Sequence, residues 1–257
     1  MQAVQIVLEA LAQVGRSLFF LLRVLAALPG LVLKPRLVAE QIYSVGVLSL
    51  VIVVVSAIFV GMVLALSGYR LLVDFGAEEA LGTSVALTIV RELGPVVTAL
   101  LFAGRAGSAV AAEIGLMKAT DQLSGMEMMA VDPVKRIVAP RFLAGLISMP
   151  ILTCIFCVMA IGVSGGYLVG VELLGVDAAQ YWNGIQSNVE FGKDIVNVFV
   201  KSGVFGIIVI WIAVFQGYHA APTSEGVSRA TTNTVVFASL AILGVNLMLT
   251  AILFGGV

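Results

Sequence analysis

Residues 45–66 read Val45-Gly-Val-Leu-Ser-Leu-Val-Ile-Val-Val-Val-Ser-Ala-Ile-Phe-Val-Gly-Met-Val-Leu-Ala-Leu66. They are the densest part of a run from Gln41 to Tyr69 without Asp, Glu, Lys or Arg. About 20 apolar residues, rising about 1.5 Å each, carry a helix across the hydrocarbon of a bilayer. This stretch is therefore read as a membrane span. Three more uncharged runs meet the same length, at Phe142–Val171, Ser202–Ser224 with His219 neutral, and Ala230–Val257. A fifth, Leu81–Phe102, contains Arg91 and Glu92, and it crosses only if that pair faces protein or water. The expected fold class is an all-α integral membrane protein with five transmembrane helices.

Composition agrees. Hydrophobic residues make up 60% of the 257, charged residues 11%, and mean hydropathy is +1.11. A soluble domain carries about 25% charged residues, so an ordinary soluble enzyme, a disordered chain and a secreted disulfide scaffold are excluded. Net charge is −1, with no basic surplus for nucleic acid. Cys154 and Cys157 sit in an apolar run and read as small buried hydrophobes.

Residues 17–33 are apolar but interrupted by Arg23 and broken at Pro29-Gly30. Arg16 and Arg23, seven apart, can share a helical face. An amphipathic interfacial helix is the expectation, and a sixth span or re-entrant piece the alternative. The apolar stretch starts too late for a cleavable signal peptide. The domain reading is an interfacial helix region over 1–40 and a five-span unit over 41–257. Orientation follows the cations. Arg16, Arg23, Lys34, Arg36, Arg105, Lys118, Lys135, Arg136, Arg141 and Arg229 fall on one side, read as cytoplasmic, out of 14 Lys and Arg. Arg70, Lys193 and Lys201 fall in outer loops, alongside an excess of acids. The N-terminus is then cytoplasmic and the C-terminus outside.

The inner loop from Glu113 to Arg141 is the most informative polar segment. Thr120 is expected to cap a helix over 121–130, with Leu123, Met126, Met129 and Ala130 on one face. Asp132-Pro133 is expected to start a second short helix. The loop reads either as a helix resting on the membrane surface or as a docking surface using adaptable methionines. Arg91 and Glu92 are expected to find partners on other helices, and Gly94-Pro95 to invite a kink. Three readings stand for that pair: a structural salt-bridge network, a polar point in a lipid path, or a proton relay. Leu64, Leu71, Leu72 and Phe75 form an apolar cluster at the outer end of the first span, facing lipid or core, or lining a cavity mouth for acyl chains. Gly162, Gly166 and Gly170 recur every four residues as a seam for close helix contact. His219, the single histidine, reads as an interfacial polar side chain, and Arg229 as an interface anchor or phosphate contact.

No Gly-x-x-x-x-Gly-Lys-Ser/Thr loop or His-Glu-x-x-His occurs. The chain offers no phosphate loop for hydrolysing ATP and no metal site, so a non-enzymatic membrane subunit is expected.

Arg91-Glu92-Leu93-Gly94-Pro95-Val96 with Gly104-Arg105-Ala106-Gly107-Ser108 resembles the MlaE/YrbE permease family. So do Ala112-Glu113-Ile114-Gly115, Met126-Glu127-Met128-Met129-Ala130-Val131-Asp132-Pro133, Pro140-Arg141, Pro222-Thr223-Ser224 and Gly226-Val227-Ser228-Arg229-Ala230-Thr231-Thr232. The chain departs from the family's enteric member at Glu40, where that member has a basic residue before the Gln-x-Tyr matched here by Gln41 and Tyr43.

The resemblance implies a homodimer with a fold like the transmembrane domains of ABCG-type exporters, in the inner membrane of a Gram-negative cell. It implies two MlaF-like ATPase subunits holding ATP and Mg, and a hexameric MlaD-like MCE protein above. In the enteric system an MlaB-like STAS protein also binds the ATPase. Phospholipid is the implied substrate, in a cavity between the permease subunits, and this chain carries no cofactor of its own. By position, Glu113, Thr120, Gln122, Met126, Glu127, Met129 and Asp132 match the region that couples to the ATPase, within a loop of about 113–139. Leu64, Leu71, Leu72, Phe75, Arg91, Glu92 and Arg229 match lipid-contacting positions. The expected activity is ATP-driven phospholipid movement, in the retrograde sense from outer to inner membrane. A proton-coupled transporter using Glu92, and a purely structural anchor, are the alternatives.

Overall fold

Apolar sequence of this kind must satisfy its backbone polar groups internally, and helices do so residue by residue. The computed structural model describes residues 2–31, 35–162 and 166–254, with side chains at 2–11, 13, 14, 191 and 254 excepted. Its described residues contain helices and turns and no strand. Lys34 and the 255–257 end of the fifth run lie outside the described residues.

The helices are α1 (Gln2–Ala27), α2 (Pro35–Val45), α3 (Leu50–Val73), α4 (Leu81–Thr88), α5 (Gly94–Phe102) and α6 (Ser108–Ala119). They continue with α7 (Gln122–Met128), α8 (Ala139–Ile161), α9 (Ala178–Asn188), α10 (Val196–His219) and α11 (Ser224–Phe254). Short connecting turns join several into longer rods, giving five candidate spans among the described residues: Pro35–Val73, Glu78–Ala119, Val134–Ile161, Gly192–His219 and Ser224–Leu253. The count agrees with the sequence reading, and α1 is not among the five.

The fourth span is the centre of the bundle. α10 packs against α8, α11, α5 and α6, burying Phe205, Val209, Ile210, Ala213 and Val214. Small residues permit this. A Cβ at Gly145 would lie 2.8 Å from Ile210 Cγ1, and one at Gly206 would lie 3.0 Å from Met149 Cβ. α3 and α11 lie outermost and leave Val51, Phe59, Val63, Leu240, Leu247 and Ile252 exposed, as bilayer-facing helices do.

Several boundaries differ from the sequence reading. α2 begins at Pro35, so the 40/41 division falls inside a helix. α3 runs to Val73, so Gly68–Val73 is helical rather than loop, and a turn at Asp74–Ala77 comes next, with Gly76 at φ +62. The third span starts at Val134 and stops at Ile161; it does not extend to Val171. The glycine seam is therefore not a span face. Gly162 ends α8, while Gly166 and Gly170 make room for Tyr181; a Cβ at Gly166 would sit 2.7 Å from its hydroxyl oxygen. The fourth span starts at Gly192, which places Lys193, Asp194 and Lys201 within it rather than in an outer loop.

α9 folds back on α4, with Tyr181 buried and most of its other residues exposed or half-buried. Asp177 caps it by accepting from Gln180 N at 3.0 Å. Tyr181 is fully buried, donates to Ile161 O at 2.8 Å and stacks edge-on with Tyr167 and Trp182. Burial pushes its hydroxyl up to about 12. The raised value means that Tyr181 supports the fold fully below the ordinary tyrosine range. That support is lost as pH rises from about 10 toward about 12. Ultraviolet titration should show late tyrosine ionisation coupled to unfolding around α9; Tyr181→Phe should diminish the late step and remove that coupling.

α1 packs one face inward through Phe20, Val24 and Ala27, and leaves Leu18, Phe19, Leu22 and Leu25 exposed. Phe20 meets Phe215, Tyr218 and His219, and Trp211 Nε1 donates to Ser17 O at 3.0 Å. His219 is thus part of an aromatic cluster under α1.

Candidate functional site

The second span carries the chemistry. It is not one continuous α-helix: wider π-helical turns at Ile89–Leu93 and Ala103–Gly107 separate α4, α5 and α6. Pro95, at the start of α5, has no N–H to give to the carbonyl four residues back. That carbonyl belongs to Arg91, and Lys201 Nζ donates to it at 2.7 Å. The expected break at Gly94-Pro95 takes the form of a π turn with a cation at its free carbonyl. Gly94 is needed where a Cβ would meet Cys157 Sγ at 2.6 Å.

Arg91 and Glu92 turn to different neighbours, as adjacent helical residues must. Arg91 grips Asp194 through Nε at 2.8 Å and Nη2 at 3.4 Å. Asp194 is fully buried and also accepts from Glu190 N at 3.0 Å. Glu92 Oε1 accepts from Lys201 Nζ at 2.9 Å and Thr250 Oγ1 at 2.8 Å, while Oε2 accepts from Asn246 Nδ2 at 3.1 Å. Lys201 also donates to Thr250 Oγ1 at 2.9 Å. Lys201 has no exposed side-chain surface, whereas Glu92 retains 35% and Arg91 38%. Spans two, four and five are thus joined by one polar network, with a cavity of about 370 Å³ beside it lined by Arg91, Asp194, Asn197 and Leu253.

Sequence reasoning anticipated partners on other helices but not which ones. Asp194, Lys201, Asn246 and Thr250 were missed. Asn246 and Thr250 carried a usable signal, since they lie four apart on one face of an otherwise apolar helix. The other expected lipid residues do not join this site. Leu64 and Leu72 are half-buried against the core, whereas Leu71 and Phe75 are 62% and 78% exposed, so the four do not form one face. Arg229 pairs with Glu225 at 2.6 Å on the first turns of α11. It lies about 25 Å along that helix from Asn246.

The inner loop is shorter and more braced than expected. Glu113 lies within α6, and only residues 120–133 leave the long rods. Thr120 does not cap the next helix. Its hydroxyl donates back to Leu116 O at 2.9 Å, closing α6, and Asp121, at φ +56, precedes α7 without a side-chain cap. Asp132 does cap, accepting from Val134 N at 2.9 Å. The expected methionine face divides: Leu123 is buried and Met126 half-buried, while Met128 and Met129 are 85% and 69% exposed. Gln122, Glu127 and Ala130 are exposed beside them.

Three contacts fix the loop's base. Arg141, buried, donates to Glu113 Oε2 at 3.0 and 3.3 Å and to Ile137 O at 3.2 Å. Lys118 Nζ donates to Tyr218 O at 2.9 Å, and Arg23 reaches Asp132 at 3.4 Å. Arg105, in the second π turn, donates to Ser44 O at 2.6 Å and ties the second span to the first. Among the described residues no group of three His, Cys, Asp or Glu could hold a metal ion.

These features lie almost wholly within residues 38–252, which match the family model described as Permease MlaE. The chain is 54% identical to the intermembrane phospholipid transport system permease protein MlaE of Haemophilus influenzae, over 97% of this chain and 95% of that one. Probable ABC transporter permease proteins of Rickettsia typhi and Rickettsia bellii are 40% and 39% identical, over 87% and 90% of this chain and 86% and 89% of theirs. A family match over most of the length, and an identity above one half to a member covered almost end to end, mean that the chain belongs to the MlaE permease family.

Proposed function

We propose that the chain is the membrane permease subunit of an ABC-type phospholipid transporter in the inner membrane of a Gram-negative cell. The near full-length identity to a permease named for intermembrane phospholipid transport carries this reading. In it, two copies pair with a fold like that of ABCG-type exporters, α1 lies in the cytoplasmic interface, and the C-terminus is periplasmic. Two MlaF-like ATPases supply ATP and Mg and engage α7 and its exposed methionines. A hexameric MlaD-like MCE protein covers the outer side, with an MlaB-like STAS protein on the ATPase where one is present. Glu113, Thr120, Gln122, Met126, Glu127, Met129 and Asp132 form or support the coupling surface. Leu64, Leu71, Leu72, Phe75, Arg91, Glu92 and Arg229 serve the lipid path. Retrograde movement is the proposed sense.

The physical need is clear. Each lipid methylene exposed to water costs about 0.8 kcal/mol, so a diacyl lipid needs both a shielded path and an energy source. The chain supplies apolar surface and a few polar groups, and no covalent step. Glu92 is engaged by Lys201, Thr250 and Asn246, an arrangement that favours a fixed structural carboxylate over a proton carrier.

The test is lipid transfer in proteoliposomes containing the assembled complex, labelled phospholipid and a periplasmic acceptor, with ATP, without ATP, and with an ATPase-dead partner. ATP-dependent net movement toward the permease membrane is expected; equal movement in all three conditions would sink the reading. Leu71→Asp combined with Phe75→Asp should leave assembly intact, since both side chains are exposed, yet slow transfer about tenfold, the equivalent of about 1.4 kcal/mol. An anchor-only subunit would show no change.

A further inference from the structure

A second cavity, of about 210 Å³, lies at the inner end of the molecule, between the end of α1 with the turn at 28–31, the start of α2, and residues 131–136. Leu31, Leu37 and Val131 give it apolar walls, and Lys135 and Arg136 stand at its rim. Both cations are exposed, and neither forms an ion pair with a described residue. The cavity's acid, Asp132, is already engaged by Arg23 and by Val134 N. The pocket therefore keeps a net positive charge over an apolar floor.

We infer that this cavity binds the phosphodiester headgroup of an anionic phospholipid of the cytoplasmic leaflet, as a resident lipid separate from the transported one. Two observations favour a lipid over a soluble anion. The walls beneath the cations are apolar, which suits the glycerol and first acyl carbons. In addition, α1, which forms one wall through Ala27, presents Phe19, Leu22 and Leu25 outward and so sits at headgroup depth. The volume is several times the share of about 30 Å³ that one water occupies. A lipid seated there would join α1, α2 and the base of the inner loop. The inference rests on membrane embedding and on the proposed orientation, and not on the transport reading.

The test is native mass spectrometry of the full-length chain in mixed micelles, titrated with phosphatidylglycerol, phosphatidylethanolamine or soluble glycerol 3-phosphate. One phosphatidylglycerol should bind preferentially. Lys135→Gln with Arg136→Gln should weaken it about thirtyfold, as each cation at an anionic surface contributes roughly fivefold. Arg36→Gln removes an exposed cation outside the cavity and should change little. Gly30→Phe provides an independent arm. Gly30 lines the cavity and a Cβ there meets nothing within 4 Å, so the ring should fill the pocket and displace the lipid with both cations kept. Unchanged phosphatidylglycerol binding in both variants would overturn the site. An equal loss in Arg36→Gln would reduce it to diffuse surface charge, and equal binding of glycerol 3-phosphate would overturn the lipid assignment.

Discussion

Replacing Glu92 with alanine is expected to destabilise the folded chain by about 3–5 kcal/mol, the cost of leaving one member of a buried ion pair alone. Lys201 would remain fully buried as an ammonium beside two neutral acceptors, the Arg91 carbonyl and the Thr250 hydroxyl. The reciprocal change, Lys201→Met, should cost less, about 1–3 kcal/mol. Glu92 is partly exposed and keeps its bonds from Thr250 and Asn246, so solvent and two donors attend the carboxylate. The double variant Glu92→Ala with Lys201→Met should cost clearly less than the sum of the two single changes, because no charge is then stranded. Thermal unfolding of the full chain in nanodiscs reads all three. Strict additivity would show that the two residues are not coupled.

Gly82→Ala should be the most damaging methyl group that can be added to the outer half of the molecule. A Cβ there is driven onto the carbonyl oxygen of Tyr181, with that residue's carbonyl carbon and Cα both at 3.1 Å. The obstacle is backbone, so rotamer changes cannot relieve it. Overpacking of this kind costs about 1–3 kcal/mol or more. The expected result is loss of hydrogen-exchange protection over α9 while α6 and the inner end of α10 stay protected. Uniform loss across the chain would contradict a local role for this contact.

The number of spans was legible because it depends only on apolar length against bilayer thickness. Their ends were less so. In sequence Arg141 and Lys201 look like charges that bound a span, yet each is buried and partnered by a residue distant in sequence, Glu113 and Glu92. Charge marks a boundary only when its partner is water. The same fact explains the polar site. Arg91 and Glu92 were conspicuous as adjacent charges inside an apolar run, whereas Asp194 and Lys201 looked ordinary beside the outer segment. The glycines at 162, 166 and 170 had the spacing of a helix seam. Two of them instead clear space for Tyr181, whose approach depends on the chain folding back through α9. Thr120 had the composition of a cap, but the left-handed turn at Asp121 assigns its hydroxyl to the helix already finished.

The π turns of the second span have a consequence for how its length can vary. Each is equivalent to one inserted residue, and each advances the phase of the downstream helix by about 100°. That rephasing lets one rod face three sets of neighbours in succession. α4 meets α3 and α9, α5 meets α8 and α10, and α6 meets α10 and α11. A changed side chain within Ile89–Leu93 or Ala103–Gly107 alters one contact. A residue deleted from either turn would return a regular α-helix with the contacts beyond it kept, whereas one deleted within α4, α5 or α6 would rotate every contact beyond it by about 100°, so this rod can absorb a change of residue count only at its two wide turns.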